Sequence, residues 1–251
     1  MSDEHFSFSS ENTRSEKEYD SNYIAWKDWL EEPFGTLNKN NRRYFGAELK
    51  HAGIDSNKSL KVLEIGFGNG GFLAYAREQK WCIEGVEVNT KLLEQGKSAK
   101  FSVHQGPSLD QLEPGQYDLV VAFDVLEHIS QDEIEEFLIA IKRVLKTSGC
   151  FLARFPNGDS PLGLIAQNGD VSHNNFIGSG KVRYYSSLVG MKILRLAGES
   201  EPIWGVDYKM FVYRLFSVPT KFLLTVLFKF VFMPRSNIPI CSLNLVVIFK
   251  K

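Results

Sequence analysis

The sequence is short of cysteine, of net charge and of long unbroken apolar runs, and each shortage closes a route. Its three cysteines, Cys82, Cys150 and Cys241, are odd in number and far apart. Cys82 and Cys150 open apolar runs, so buried free thiols in a reducing compartment are expected rather than disulfides. No His/Cys cluster has metal-ligand spacing, and no metal is expected. A net charge of −1 argues against a broad nucleic-acid-binding surface. Residues 1–20 are polar and acidic, without the apolar core of a secretory signal. The most apolar stretch, residues 210–233, is interrupted by Arg214, Pro219, Lys221 and Lys229, which speaks against a lone transmembrane helix. The expected address is the cytoplasm.

What is present is an alternation. Short β-rich runs at 60–65, 82–88, 101–105, 117–123 and 150–155 are separated by helix-period segments at 72–79, 91–97 and 131–145, the pattern of a parallel sheet wrapped by helices. The third helix carries the firmest signals. Ser130 and Glu133 have capping-box spacing, Ile134, Phe137, Leu138, Ile141 and Leu145 share one face, and Gly149 stands as a stop. A helix at 182–188, a strand at 192–196 and a closing strand at 243–249 follow, the last two separated by an insertion at 199–240. Residues 1–50 read as a loose tail followed by a helical lid, and residues 51–251 as the main domain. Trp26 and Trp29 share a possible helix face, a second helical patch spans 43–51, and Tyr23, Trp26, Arg43 and Tyr44 are positioned for the lid.

The first chemical signal is Glu64-Ile65-Gly66-Phe67-Gly68-Asn69-Gly70-Gly71. Gly66, Gly68 and Gly71 satisfy G-x-G-x-x-G, in which glycines let backbone approach a ligand at a strand-to-helix turn. Glu87, about 20 positions on, suits ribose hydroxyls. These features leave a dinucleotide and an adenosylated sulfonium in competition. Glu64 favours the second, because a carboxylate inside an apolar strand wants a cation, and an α-ammonium supplies one where a pyrophosphate would be repelled. A carboxylate that merely caps a nearby amide is the alternative.

Four motifs in order then carry a resemblance. Glu64-x-Gly66-x-Gly68-x-Gly70 resembles motif I of class I S-adenosylmethionine-dependent methyltransferases. Residues 82–87 look like their second strand with its ribose-binding acid. Phe123-Asp124-Val125-Leu126-Glu127-His128 resembles the segment after their fourth strand. Leu145-Lys146-Thr147-Ser148-Gly149 is similar to their Leu-Lys-Pro-Gly-Gly turn, with Thr147-Ser148 replacing Pro-Gly. The resemblance covers about residues 58–197 and the closing strand. It implies an α/β fold: a Rossmann-like, doubly wound, seven-stranded sheet, mostly parallel with an antiparallel last strand. It also implies S-adenosylmethionine as cofactor. Gly66, Phe67 and Gly68 would line the methionine and ribose portions, Gly70 completes the turn, and Glu87 would hold the ribose. Ser108 and Leu109 fall in the adenine-contacting loop, where many members carry Asp in place of Ser108. Phe123 and Asp124 would close the pocket near the sulfonium.

Two histidines are candidates for a base: His128 after the fourth strand, and His173 in the loop after the fifth, with Asp170 to orient it. Residues 154–163 with 178–185 look like methyltransferases of bacterial surface-polysaccharide biosynthesis, which would imply O-methylation of a sugar hydroxyl. An aromatic or lipid-like acceptor such as a quinone precursor is the alternative, and a non-catalytic cofactor-binding partner module is another. An oxidoreductase and a nucleic-acid methyltransferase are disfavoured, the latter because no Asn-Pro-Pro-aromatic motif follows the fourth strand. Arg214, Lys221, Thr225 and Lys229 recur at near-helical spacing among Phe and Leu. Such a segment can lie on the inner face of an anionic membrane, cover a sheet edge or form a dimer interface. Internal packing is the expectation for a helix so rich in Phe and Leu.

Overall fold

A computed structural model describes residues 33–55, 58–234 and 237–251. The expected contributions of Tyr23, Trp26 and Trp29, and of the tail before them, lie outside these residues. The first described helix, α1 (Lys39–His51), is followed by β1 (Lys61–Ile65), α2 (Gly71–Glu78), β2 (Cys82–Glu87), α3 (Thr90–Ser98), β3 (Ser102–Gln105) and β4 (Tyr117–Phe123). A 3₁₀ turn at Leu126–His128 leads to α4 (Ile134–Val144), β5 (Leu145–Pro156), α5 (Gly163–Gly169), α6 (Ser179–Val189), β6 (Lys192–Gly198), α7 (Tyr208–Phe232) and β7 (Asn244–Lys250).

The strands form one seven-stranded sheet in the order β3-β2-β1-β4-β5-β7-β6. β1 pairs in parallel with β2 and β4, and β7 runs antiparallel between β5 and β6. This is the Rossmann-like arrangement expected, with the late strand tucked into the sheet. The central strands are buried on both faces: Val62, Leu63, Glu64 and Ile65 in β1, and all five residues from Leu245 to Phe249 in β7. Helices therefore cover both sides. One apolar cluster joins Leu63, Phe151 and Phe249 to Leu138 and Ile141 of α4, and a second joins Val62, Leu152 and Ile248 to Tyr44, Phe45 and Leu49 of α1. The expected division at residue 50 falls inside α1, which shares its cluster with the sheet.

Two local expectations are corrected. The Ser130 hydroxyl donates to the Glu133 carboxylate at 2.7 Å instead of capping an amide, and the helix begins after Glu133. Gly149 does not stop α4, which runs into β5 at Leu145 without a loop. Tyr117 pairs with Leu145 and Leu119 with Cys150, so residues 146–149 bulge from the strand. A Cβ on Gly149 would meet the Tyr117 carbonyl at 2.9 Å, which explains a small residue there. All three cysteines are free, but Cys82 is exposed rather than buried.

The insertion departs furthest from expectation. α7 is a single helix of 25 residues that contains Pro219, and none of its residues is buried. Internal packing is overturned.

Candidate active site

Parallel strands place their carboxyl ends on one edge, and the chain reverses its direction of winding between β1 and β4, where open α/β sheets bind ligands. The glycine turn occupies that place. Gly66, Gly68 and Gly70 have φ of 67°, 50° and 74°, which side-chain-bearing residues seldom adopt. Space reinforces the requirement at two of them. A Cβ on Gly66 would lie 2.6 Å from Val125 Cγ2, and one on Gly70 would lie 2.5 Å from the Phe34 ring. Phe34 thus lies across the turn, held by the Gly35 amide donating to the Asn69 carbonyl at 2.7 Å.

Glu64 is buried at the end of β1. The Leu73 backbone amide, in the first turn of α2, bonds its carboxylate, while Oε2 is buried without a partner among the described residues. Burial, reinforced by the charge of Glu87, pushes its carboxyl well above the ordinary range. Both readings of Glu64 are therefore half met: one oxygen serves an amide, and the other is open to a cation. An ammonium group fits this orphaned acceptor; a phosphate does not.

Glu87 is held by the amides of Gly68 (3.0 Å), Val88 (2.8 Å) and Asn89 (3.1 Å), which fixes its carboxylate beside the turn. Asn89 in turn caps α3. Other expected donor-site residues are divided. The Phe67 ring is 3% exposed and packs with Leu73, Leu92, Leu93 and Phe101, so only its backbone faces the turn. Leu109 is likewise a core side chain, and its carbonyl accepts from Arg143 at 2.7 Å. Ser108 is exposed, and its hydroxyl donates to Asp110 at 2.9 Å. Asp110 was missed in the sequence; the acid absent at 108 stands two residues later. Val88 was missed too. It is an apolar side chain 59% exposed directly after the ribose-binding candidate, a signal that only burial reveals.

Beyond β4, Phe123 packs against Phe45 and Phe72 at ring distances of 5.3 and 5.5 Å. Asp124 adopts φ of 57° and receives both arms of the Arg154 guanidinium, Nε at 2.9 Å and the second nitrogen close to the other oxygen. Arg154 also lies over the Tyr44 and Phe123 rings, so α1 reaches this rim through Tyr44, a buried residue of the core cluster. Arg43 instead donates to the Trp204 carbonyl at 3.0 Å, tying α1 to the insertion.

The two histidines, far apart in sequence, meet with ring centroids 4.7 Å apart. His173 is nearly enclosed, its Nε2 3.5 Å from Asp170 and 3.9 Å from Glu127. His128 is partly buried, with Nδ1 3.3 Å from the Ser172 carbonyl. A proton on Nδ1 directed at that carbonyl makes Nε2 the basic nitrogen of the ring. Glu127, missed in the sequence, completes the group. Glu127, His128 and His173 each offer a ligand atom within 4.8 Å of one another, a set able to hold a metal ion that the linear spacing concealed.

The polar loop that suggested a sugar is largely taken up by the fold. Asn157 donates to the carbonyls of Pro239 and Ser242, both at 3.0 Å. Asp159 accepts from the Ser179 amide at 2.8 Å, and the Ser160 hydroxyl bonds the Ile240 carbonyl.

A methyltransferase-domain family profile matches residues 36–198. The chain belongs to the methyltransferase-domain family. It is a transferase of methyl groups, and S-adenosylmethionine is the donor whose ammonium and ribose the Glu64–Glu87 turn fits. No curated protein matches this methyltransferase in sequence. Solved structures share its fold. An S-adenosylmethionine-dependent methyltransferase from Archaeoglobus fulgidus is 20% identical with a TM-score of 0.64, covering 90% of this chain and 100% of its own. A methyltransferase from Haloferax volcanii, solved with the Trm112 activator, is 12% identical with a TM-score of 0.60, covering 94% and 97%. The 1,6-didemethyltoxoflavin-N1-methyltransferase of Burkholderia thailandensis, solved with its substrate and S-adenosylhomocysteine, is 14% identical with a TM-score of 0.55, covering 94% and 86%.

Proposed function

We propose that this methyltransferase acts on a hydroxyl of a saccharide or other small molecule, including sugars destined for a bacterial surface polysaccharide. The single observation that carries the proposal is the pairing of His128 with His173 against two carboxylates at the carboxyl edge. A hydroxyl must lose its proton to become a competent nucleophile, whereas an amine with a free lone pair need not, so a built base speaks for oxygen. His128, which follows the fourth strand, takes the proton at Nε2. His173, backed by Asp170 and Glu127, stabilises the positive charge that results.

On the donor side, Glu64 would receive the ammonium, the Gly66–Gly68 backbone would lie along the methionine and ribose, and Glu87 would accept from the ribose hydroxyls. Val88 would lie against the base, and Ser108 with Asp110 would meet its amino group. When bound, the sulfonium supplies an activated methyl group for in-line displacement. The protein's task is alignment, an effect worth roughly several kcal/mol of barrier. Asp124, Arg154, Glu199 and Asn244 form a polar rim on the β5–β7 side, where the Asn244 amide donates to Glu199 at 3.1 Å. Such a rim suits a polyhydroxyl acceptor. The address that goes with this reading is the cytoplasm, where three free thiols stay reduced.

A second reading, an aromatic or lipid-like acceptor, is favoured by the Tyr44–Phe45–Phe123 ring cluster beside the same rim. Transfer of labelled methyl from S-adenosylmethionine to a panel of sugars, nucleotide sugars and phenols separates the two. Turnover confined to phenols would overturn the saccharide assignment, and donor binding without turnover of any acceptor would make the chain a non-catalytic module.

A further inference from the structure

An ordinary surface helix turns its apolar face inward; α7 does the reverse. The residues of α7 that are partly covered are Met210, Phe211, Arg214, Ser217, Val218, Lys221, Thr225 and Lys229, which fall on one side at spacings of three and four. That side holds most of its polar groups. Arg214 donates to the Pro202 carbonyl at 2.9 Å, and Lys221 pairs with Glu201 at 2.6 Å. The opposite side is apolar and open: Phe216, Phe222, Leu223, Leu227 and Phe230 are between 55% and 82% exposed. Trp204 and Tyr208, rings with a polar handle, flank its amino-terminal end at 70% and 79% exposure.

We propose that α7 docks this methyltransferase on a phospholipid bilayer, lying in the membrane plane with its outward apolar face among the acyl chains. Three observations select a bilayer. The apolar face extends along a helix about 37 Å long, a contiguous patch of the kind that marks an interaction site. The helix has no acidic residue, and Lys209 and Lys229 near its two ends suit phosphate headgroups, Arg214 and Lys221 being held by the protein. Its amino-terminal aromatics belong at the headgroup level.

The geometry also decides between lying and crossing. With an 18-residue stretch of mean hydropathy 1.7, α7 is long and apolar enough to span. However, the insertion leaves the sheet at Gly198 and returns at Asn244, and Gly198 pairs directly with Leu245. Pro239 and Ser242 on the return are bonded to Asn157 beneath β5. A spanning helix would need residues 233–238 to recross the hydrocarbon, which admits no chain with unpaired backbone groups. Asp207, which caps α7, is bonded to Asn40 at the start of α1, so the docked helix is tied to the rim of the active site.

Flotation of the full chain with phosphatidylcholine vesicles, with and without phosphatidylglycerol, tests this. The expected result is flotation with both, stronger with phosphatidylglycerol, and resistant to molar salt. The triple variant Phe216→Glu/Leu223→Glu/Phe230→Glu should partition roughly a hundredfold less, with unchanged S-adenosylmethionine affinity by calorimetry showing that it folds. A full chain that stays soluble with both vesicle types, as a monomer or as a dimer that covers α7, would overturn the proposal. So would release by salt alone, or a triple variant that still floats while binding donor.

Discussion

The two halves of the carboxyl edge treat their polar groups differently. On the β1–β2 side, Glu64 keeps a buried oxygen open and the glycines leave backbone exposed to a ligand. On the β5–β7 side, Asn157 and Ser160 turn onto their own chain and hold the returning insertion, while Asp159 holds the start of α6. An unsatisfied buried carboxylate is tolerated only where a ligand relieves it, so the first side is built for a partner that is always the same. The second side builds a wall; in the proposed function the His128–His173 pair and the Asp124–Arg154 rim meet the acceptor.

The comparison can be broken, starting from the largest effect. Gly66→Val should abolish measurable donor binding, because its side chain enters the space of Val125 at positive φ. Gly115→Ala is the control: φ is 66° with open space around it, so it should cost only about 1–2 kcal/mol of stability and leave calorimetric affinity unchanged. If both variants bound donor equally, the turn would not be the site. Next, His128→Asn should lower kcat by roughly 10²–10⁴ with donor affinity unchanged, and flatten the acid limb of the pH–rate profile. An equal loss of donor affinity would move His128 to the other half.

Glu64→Gln sharpens the contrast through pH. Burial raises the Glu64 carboxyl in the folded apoprotein. Across the window between the ordinary carboxylate value and that raised one, the folded state holds a proton that the unfolded chain has released. Apoprotein stability therefore falls as pH rises, while affinity for the donor's ammonium rises as the carboxylate forms. The Gln variant should lose both trends, be more stable as apoprotein at neutral pH, and bind S-adenosylmethionine roughly 10–100-fold more weakly. Titration calorimetry and melting curves between pH 5 and pH 8 read both, at roughly those bounds. Unchanged affinity would remove Glu64 from the donor site.

On the wall side, Asn157→Ala should cost about 1–3 kcal/mol in denaturant unfolding and leave the acceptor KM unaltered. A large rise in KM without loss of stability would make the loop a recognition element after all. The smallest expected effect is that of a chelator: EDTA should leave turnover unchanged if Glu127, His128 and His173 handle protons. Loss of activity restored by one divalent metal would make the trio a metal centre.

Much of the donor half was legible because it obeys local rules. A strand-to-helix turn at positive φ demands glycine, and an acid at the end of the second strand stands at a fixed spacing from it, so both show in the linear order. β4 appeared at Tyr117–Phe123 as expected. Gly149 misled because a glycine required by a bulge looks the same as one that ends a helix. Phe67 and Leu109 place their side chains in the core, and motif position does not say which way a side chain points. Asp110 and Val88 carried no pattern at all; exposure alone marks them.

By itself, the order of residues determined the parallel sheet with a late closing strand, the glycine turn and the acid that follows it, because each rests on backbone conformation and hydrophobic period within a few neighbouring residues; the antiparallel sense of that strand came from the family resemblance. Only the tertiary structure decided that His128 and His173 share one cluster with Glu127, and that α7 faces its polar stripe inward. Those outcomes depend on which surface the rest of the chain offers to each side chain, and the periodicity of a helix specifies a face without specifying its direction.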